Sequence, residues 1–237
     1  IQAVVQKKEL LSPDICRLLI EPANLFEYHP GQFINVRRDD GLIRSYSLAS
    51  VPDEDYFLEI HVRRMQNGEM SNWIFDDLGE GDEITIQGPE GASYYQADTL
   101  QESLLLVGTG TGLAPLIGIA RDALYKGHTG DIHLFHGGRS ESDIYWHDNL
   151  LELCNEFPNF FYNASISGHD PVPGMLYGRV HKVAFSLFDN LSDWRIYLAG
   201  LPEMVRAGQI AAERLGAKPE YIFTDPFQCK DLRKEET

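Results

Sequence analysis

Four apolar residues, Leu104–Val107, run directly into Gly-Thr-Gly-Thr-Gly and then Leu113-Ala114-Pro115. An uninterrupted apolar run that short reads as a strand buried on both faces, as in parallel sheets covered by helices. The glycines after it let the backbone approach a ligand closely, and the helix they open directs unpaired N–H groups at an anion. Pro115 suits this reading, because in the first helical turn its missing N–H has no intrahelical partner to lose. Gly108, Thr109, Gly110, Thr111 and Gly112 are therefore a candidate phosphate loop. Leu113 stands where the third glycine of G-x-G-x-x-G belongs, so the dinucleotide fingerprint is incomplete. The run also fits the G-x-G-x-G of S-adenosylmethionine methyltransferases, although residues 104–107 lack the acid that usually precedes it. A strand-to-helix turn without ligand is the third reading, and the loop alone leaves all three open.

The rest of the 237 residues divides by period. Residues 1–97 hold short β-rich segments, "AVVQKKE", "ICRLLIE", "QFINVR", "IRSYSLA", "YFLEIHVRR" and "EITIQGP", separated by Pro, Gly and Asp. One helix, "MSNWIFDDL", interrupts them. That spacing predicts a six-stranded antiparallel β-barrel. After residue 98, apolar strands at 104–108, 131–136, 160–166 and 195–199 alternate with helices near 113–126, 143–155, 177–187 and 202–215. Such alternation predicts an α/β domain with a parallel five-stranded sheet and helices on both faces. The expected organisation is two domains, 1–97 and 98–227, then a charged, disordered tail, 228–237.

A net charge of −16 argues against nucleic acid or an anionic membrane surface as partner. With no apolar run of membrane-spanning length and no signal-peptide pattern, the expected location is cytoplasmic. Cys16, Cys154 and Cys229 are too few and too dispersed for an iron–sulfur centre. A chain opening on Ile1 suggests a piece cut from something longer.

On the barrel, Arg44 and Tyr46 share one face of "RSYS" with Ser47 opposite. Arginine clamps diphosphates, tyrosine stacks on heterocycles and serine hydrogen-bonds ring nitrogens. In "GEMSNW", Gly68 and Ser71 mark a helix start, with Ser71 as N-cap and the first N–H groups as a second anion site. The turns "HPGQF" and "GPEG" bracket these segments.

Taken in order, P-G-Q-F, R-S-Y-S, G-x-x-S-N-W-I, G-P-x-G, G-T-G-T-G-L-A-P and "YLAGLPEM" resemble the ferredoxin–NADP reductase superfamily, from about residue 3 to Phe227. The resemblance implies FAD on the barrel and NAD(P)H on the α/β domain, with hydride passing from nicotinamide C4 to flavin N5. It implies that Arg44 contacts the FAD diphosphate, Tyr46 stacks on the isoalloxazine and Ser47 lies near N5, which makes Ser47 and Tyr46 the catalytic candidates. Met70 N–H and Ser71, with Gly68, would hold the diphosphate, and His61, Val62 and Arg63 would line the flavin. The coenzyme would cross Gly108–Gly112 toward Gly200, with Arg139 and Ser140 near its adenosine ribose. Phe227 or Phe223 would cover the flavin, with core packing the equal alternative for Phe223.

Electrons would go to a ferredoxin, an iron–sulfur domain or an oxygenase, separate or fused. The alternatives are a free-flavin reductase and a flavin subunit that does not oxidise NAD(P)H. Ala199 replaces a cysteine common in the superfamily and shares that with free-flavin reductases, while "GEMSNW" favours retained FAD. NADH is slightly preferred over NADPH by analogy with oxygenase reductases. No metal site is expected of His133, His136 and His147. Arg37, Arg38, Arg44, Arg63 and Arg64 suggest a basic rim for an acidic partner, or simply solvated strand ends.

Overall fold

The structure is a computed structural model that describes residues 1–168 and 170–227, so the expected tail and Cys229 lie outside the described residues. Its first half is the expected barrel. Strands β1 (Gln2–Ser12), β2 (Ile15–Pro22), β3 (Phe33–Arg37), β4 (Ile43–Ser47), β5 (Leu58–Arg63) and β6 (Glu83–Glu90) lie in the order β4-β3-β6-β1-β2-β5. Every pairing is antiparallel. A Leu48–Ile60 bridge and an Ala49 N–H to Glu59 C=O bond join the outer strands and close the barrel. Helix α1 (Glu69–Asp76) packs against it through Met70 and Ile74.

Alternation along β5 carries a further message. Leu58, Ile60 and Val62 enter the barrel core, as period two requires. Glu59 and His61, on the outer face, are 2% and 4% exposed. A strand buried on both faces needs a second layer outside the barrel.

The α/β domain supplies that layer. It contains β7 (Ser103–Thr109), α2 (Leu113–Tyr125), β8 (Ile132–Gly138), α3 (His147–Glu156), β9 (Phe160–Ile166), β10 (Leu176–Tyr177), α4 (Val180–Phe185), β11 (Trp194–Gly200), α5 (Pro202–Arg214) and β12 (Ile222–Pro226). The sheet order is β10-β9-β8-β7-β11-β12, all parallel. Leu104 and Leu106 pack toward α2 and Leu105 and Val107 toward α4 and α5, which accounts for the unbroken apolar run.

The sheet has six strands where the sequence predicts five. The helix predicted from residue 177 begins at Val180, and Leu176–Tyr177 instead pair with β9. Gly178, at φ +135, lies outside helical geometry and separates the two elements. The helix predicted from residue 143 likewise begins at His147, after Trp146 turns the chain at φ 62.

Helix α2 seats the domain on the barrel at two glycines. A Cβ on Gly118 would lie 2.9 Å from the Leu48 carbonyl oxygen, and one on Gly31 would lie 2.7 Å from Ile119 Cγ1. Beside them Arg121 grips Asp55 with two bonds, of 2.8 and 2.9 Å.

Candidate active site

Neighbouring strands β7 and β11 form the point where strand order reverses, and ligands of open α/β sheets bind beyond the carboxyl ends of strands there. The glycine loop occupies that position. Gly110–Gly112 form a 3₁₀ turn leading into α2, with Pro115 in the helix's first turn. The Leu113 N–H is shared between the Gly110 and Thr111 carbonyls, and the N–H groups of Gly110 and Thr111, ahead of the turn's first bond, have no helical partner.

The glycines serve different ends. A Cβ on Gly112 would sit 2.4 Å from the Ala199 oxygen, and one on Gly108 would sit 2.7 Å from Leu116 Cδ1. Both are fixed by packing. At Gly110, φ is +54 and a Cβ would meet only Arg63 Nη1, at 3.0 Å, across the interface. Gly200, at φ +115, packs against Thr109, whose Oγ1 accepts the Leu201 N–H at 3.1 Å.

The barrel meets this edge at Ser47. Its Oγ donates to Asp225 Oδ2 at 2.8 Å. Asp225 pairs with Ala199 in the sheet, and the Phe227 N–H donates to the Gly200 carbonyl at 2.8 Å. Ser47, Ala199, Gly200, Asp225 and Phe227 thus converge from three strands and the segment after β12. Burial raises the Asp225 pKa above the ordinary carboxylate value, and the Ser47 bond only partly offsets it. Sequence reasoning passed over Asp225, because nothing in "FTDPF" indicates that β12 ends opposite β4.

Tyr46 is half-buried against the barrel core, and burial raises its hydroxyl pKa. Arg44, half-buried on the same strand, donates to the Ile43 carbonyl at 2.7 Å. Phe223 stacks on Tyr197 at 4.9 Å with ring planes 16° apart, against the sheet core.

Two placements correct the sequence reading. Ser71 is not the N-cap of α1; Gly68 is, and Ser71 is the third helical residue. Asn67, at φ 62, completes the turn early, and Ser71 Oγ accepts the Met65 N–H and donates to the Gly68 carbonyl. The first intrahelical bond runs from Asn72 to Gly68, which leaves the Glu69, Met70 and Ser71 N–H groups without helical partners. Secondly, the side chains of His61–Arg63 do not share one lining. Val62 enters the barrel core. His61 Nε2 bonds Glu59 Oε1 at 2.8 Å and its Nδ1 bonds the Tyr145 hydroxyl at 3.0 Å. Arg63 bonds Asp14 at 2.8 Å and Asp143 at 2.5 Å. Period-two alternation puts Val62 on the inner face and His61 and Arg63 on the outer one, leaving the backbone as the contribution all three share.

At the end of β8, Arg139 and Ser140 are exposed. Asp143 Oδ2 accepts both their N–H groups and the Ser140 hydroxyl, each at 3.0 Å. His133 stacks on Phe161 at 4.7 Å, His147 approaches the Tyr162 hydroxyl at 3.3 Å, and His136 is fully buried with neither ring nitrogen partnered. The suggested basic rim is largely neutralised: Arg38 pairs with Asp40 and Glu69, Arg63 with Asp14 and Asp143, and Arg64 with Asp76. Among the described residues no helix is long and apolar enough to cross a membrane.

A closed barrel with an anion-ready helix start, docked on the reversal point of a parallel sheet with a second anion-ready loop, defines a two-nucleotide oxidoreductase architecture. The donor sets fit two diphosphates: unpaired backbone N–H groups at both helix starts, with glycines where the chain must bend or come close. Family comparison agrees. The oxidoreductase FAD-binding domain family matches residues 2–95 and the oxidoreductase NAD-binding domain family matches residues 106–209. The chain belongs to this family of FAD- and NAD-binding, ferredoxin reductase-like oxidoreductases.

Among its relatives is the ferredoxin–NAD(P)+ reductase component of the naphthalene 1,2-dioxygenase/salicylate 5-hydroxylase systems of Ralstonia sp., 39% identical over 90% of this chain and 65% of that protein. A crystal structure of an Amycolatopsis cytochrome P450 reductase, GcoB, superposes with a TM-score of 0.89 at 33% identity, over 95% of this chain and 69% of that one. A probable flavin reductase of Vibrio harveyi is 29% identical over 94% of this chain and 97% of its own length. The chain therefore spans about two thirds of the first two proteins and nearly all of the third.

Proposed function

We propose that this chain is an NAD(P)H-dependent FAD reductase unit that delivers electrons to an acceptor protein or fused domain, such as a ferredoxin, an iron–sulfur domain or an oxygenase component. The observation that carries the reading is the Ser47–Asp225 bond, which sets the barrel's R-S-Y-S strand against the carboxyl ends of β11 and β12. Bound FAD would supply the redox chemistry, accepting a hydride at N5 and releasing electrons singly.

The chain's own tasks are binding and orientation. The N–H groups at Glu69, Met70 and Ser71, with Gly68 at the bend, form one diphosphate cradle, and Arg44 supplies charge near it. Tyr46 offers a ring for stacking. Ser47 keeps a hydroxyl at the junction, its hydrogen given to Asp225 and its oxygen left to accept. The glycine loop holds the coenzyme, and Gly200 lets its nicotinamide end approach without a side chain in the way. Residues 1–97 and 98–227 are assigned as the FAD and NAD(P)H domains, a division the family matches support. NADH is taken as the preferred coenzyme, by analogy with oxygenase reductases.

The test is a visible spectrum after gel filtration, then anaerobic titration with NADH and NADPH. Bands that bleach with a coenzyme support the reading, and the more effective coenzyme settles the preference. A second reading, free-flavin reduction, draws on the match in length to the Vibrio harveyi protein. It predicts a colourless protein that turns over added flavin. Bands that persist with both coenzymes would sink both readings.

A further inference from the structure

Glu59 and His61 stand on the outer face of β5, and both are buried. We propose that Glu59, His61 and Tyr145 form a chain of hydrogen bonds that positions the adenosine-side loop of the α/β domain against the barrel. The His61–Tyr145 bond is its link across the domain interface, which makes the two residues positioning residues for the coenzyme. This rests on the coenzyme lying over the glycine loop with its adenosine at the end of β8.

The chain starts in the barrel. The Glu59 N–H donates to Ser50 Oγ at 3.0 Å and its carbonyl accepts the Ala49 N–H at 2.9 Å, which ties it to the segment after R-S-Y-S. Its carboxylate takes one donor on each oxygen, Arg17 Nη2 at 2.7 Å and His61 Nε2 at 2.8 Å. Burial opposes ionisation of Glu59, yet His61 and Arg17 hold its pKa below the ordinary carboxylate value. An ionised carboxylate only accepts, so the hydrogen between them lies on His61 Nε2. In the neutral ring Nδ1 then accepts from the Tyr145 hydroxyl, 3.0 Å away.

The chain ends in the α/β domain. The His61 ring meets Tyr145 and Trp146 edge-on, at 5.4 and 5.7 Å. Tyr145 lies two residues beyond Asp143, whose Oδ2 accepts the Arg139 and Ser140 N–H groups. That loop closes β8, where the adenosine ribose of a coenzyme binds in such sheets. His61 is 4% exposed and Tyr145 3%, so their bond forms away from water, where a lost partner is not replaced. The plainer role is packing that holds the domains together. Arg121–Asp55 already serves that end elsewhere on the interface, and packing alone predicts lower stability with unchanged coenzyme affinity.

The test uses FAD-loaded protein and ADP-ribose, a redox-inert probe that carries the adenosine half of the coenzyme. Binding is followed by NMR titration, with thermal midpoints measured alongside. Tyr145→Phe removes only the hydroxyl. His61→Gln keeps an amide donor for Glu59 and removes the acceptor, so the two variants break one bond from opposite sides. Each is expected to raise the ADP-ribose Kd about fivefold, the usual effect of losing one hydrogen bond. The double variant raises it no further, because the bond can be lost only once. Arg121→Gln, which loosens the interface at its other bridge, lowers the midpoint and leaves the Kd at the wild-type value.

A wild-type Kd in both single variants would overturn the proposal. Losses that add in the double variant would also overturn it, since the two residues would then act separately. Weakening by Arg121→Gln to the same degree would reduce the chain to domain packing. A wild-type protein that does not bind ADP-ribose would remove the coenzyme site and this proposal with it. One that binds ADP-ribose but keeps its flavin bands under NADH and NADPH would sink the reductase reading alone and leave the His61–Tyr145 result standing.

Discussion

Ser47 Oγ and Asp225 Oδ2 lie 2.8 Å apart across 178 residues of sequence, one at the end of barrel strand β4 and the other on the last strand of the parallel sheet. Ser47 is 7% exposed, so the bond forms in a largely dry junction where a hydroxyl's orientation is fixed by its partner. Its hydroxyl hydrogen goes to Asp225, which leaves the oxygen to accept. Ser47→Ala is expected to slow anaerobic flavin reduction by about tenfold, equivalent to one hydrogen bond. FAD content should stay at the wild-type level. Stopped-flow bleaching rates that match wild type would remove Ser47 from the reaction centre.

Asp225 carries a cost in stability. Its pKa is raised by burial, so the folded chain holds a proton that the unfolded chain gives up. Folding stability therefore falls as pH rises from the ordinary carboxylate value through the raised one, and the penalty persists at neutrality. Asp225→Asn is expected to raise the thermal midpoint at neutral pH and to lose that advantage in acid, where the aspartate is protonated anyway. Thermal scans across pH check both halves, and a midpoint lowered at neutral pH would contradict the sign.

The glycine loop yields an ordered pair of substitutions. Gly112→Ala drives a methyl into the Ala199 backbone at 2.4 Å, and two strands and a helix must shift to admit it. A loss of about 2 kcal/mol or more is expected, in the range for overpacked cores. Gly110→Ala meets only the end of the Arg63 side chain, and its left-handed φ of +54 costs about 1 kcal/mol. Denaturant midpoints should rank Gly112→Ala as the more destabilised variant.

His136 is fully buried beside Tyr145, rings edge-on at 5.4 Å, with both nitrogens unpartnered. Burial lowers its pKa from 6.5 to about 4. The folded chain refuses a proton that the unfolded chain accepts, so stability falls as pH drops through 6.5 toward about 4. The loss at the acid end is on the order of 3 kcal/mol. His136→Phe keeps the aromatic contact and removes the titrating group. It is expected to flatten the acid limb of the stability profile and to raise the thermal midpoint. A limb unchanged in the variant would assign the acid sensitivity elsewhere.

Much of this protein was legible before any coordinates. All six barrel strands follow from short β-rich runs and their Gly, Pro and Asp breaks, because pleat and turn preferences act over a few residues. The strand, loop and helix around Gly108–Gly112 follow from the apolar run, the glycines and Pro115, again through local backbone geometry. Even the missing third glycine was visible as Leu113. What local pattern could not give was where a side chain on an outer face would end. Glu59 and His61 look like solvent positions of an alternating strand until α/β-domain residues such as Tyr145 cover them. Arg63 reads as a flavin neighbour until docking aims it at Gly110 and Asp143. Asp225 has no local signature at all, since its meaning comes from Ser47. Periodicity reports how a residue partitions between its own strand's two faces; only the docking of one domain on the other decides what each outer face then meets.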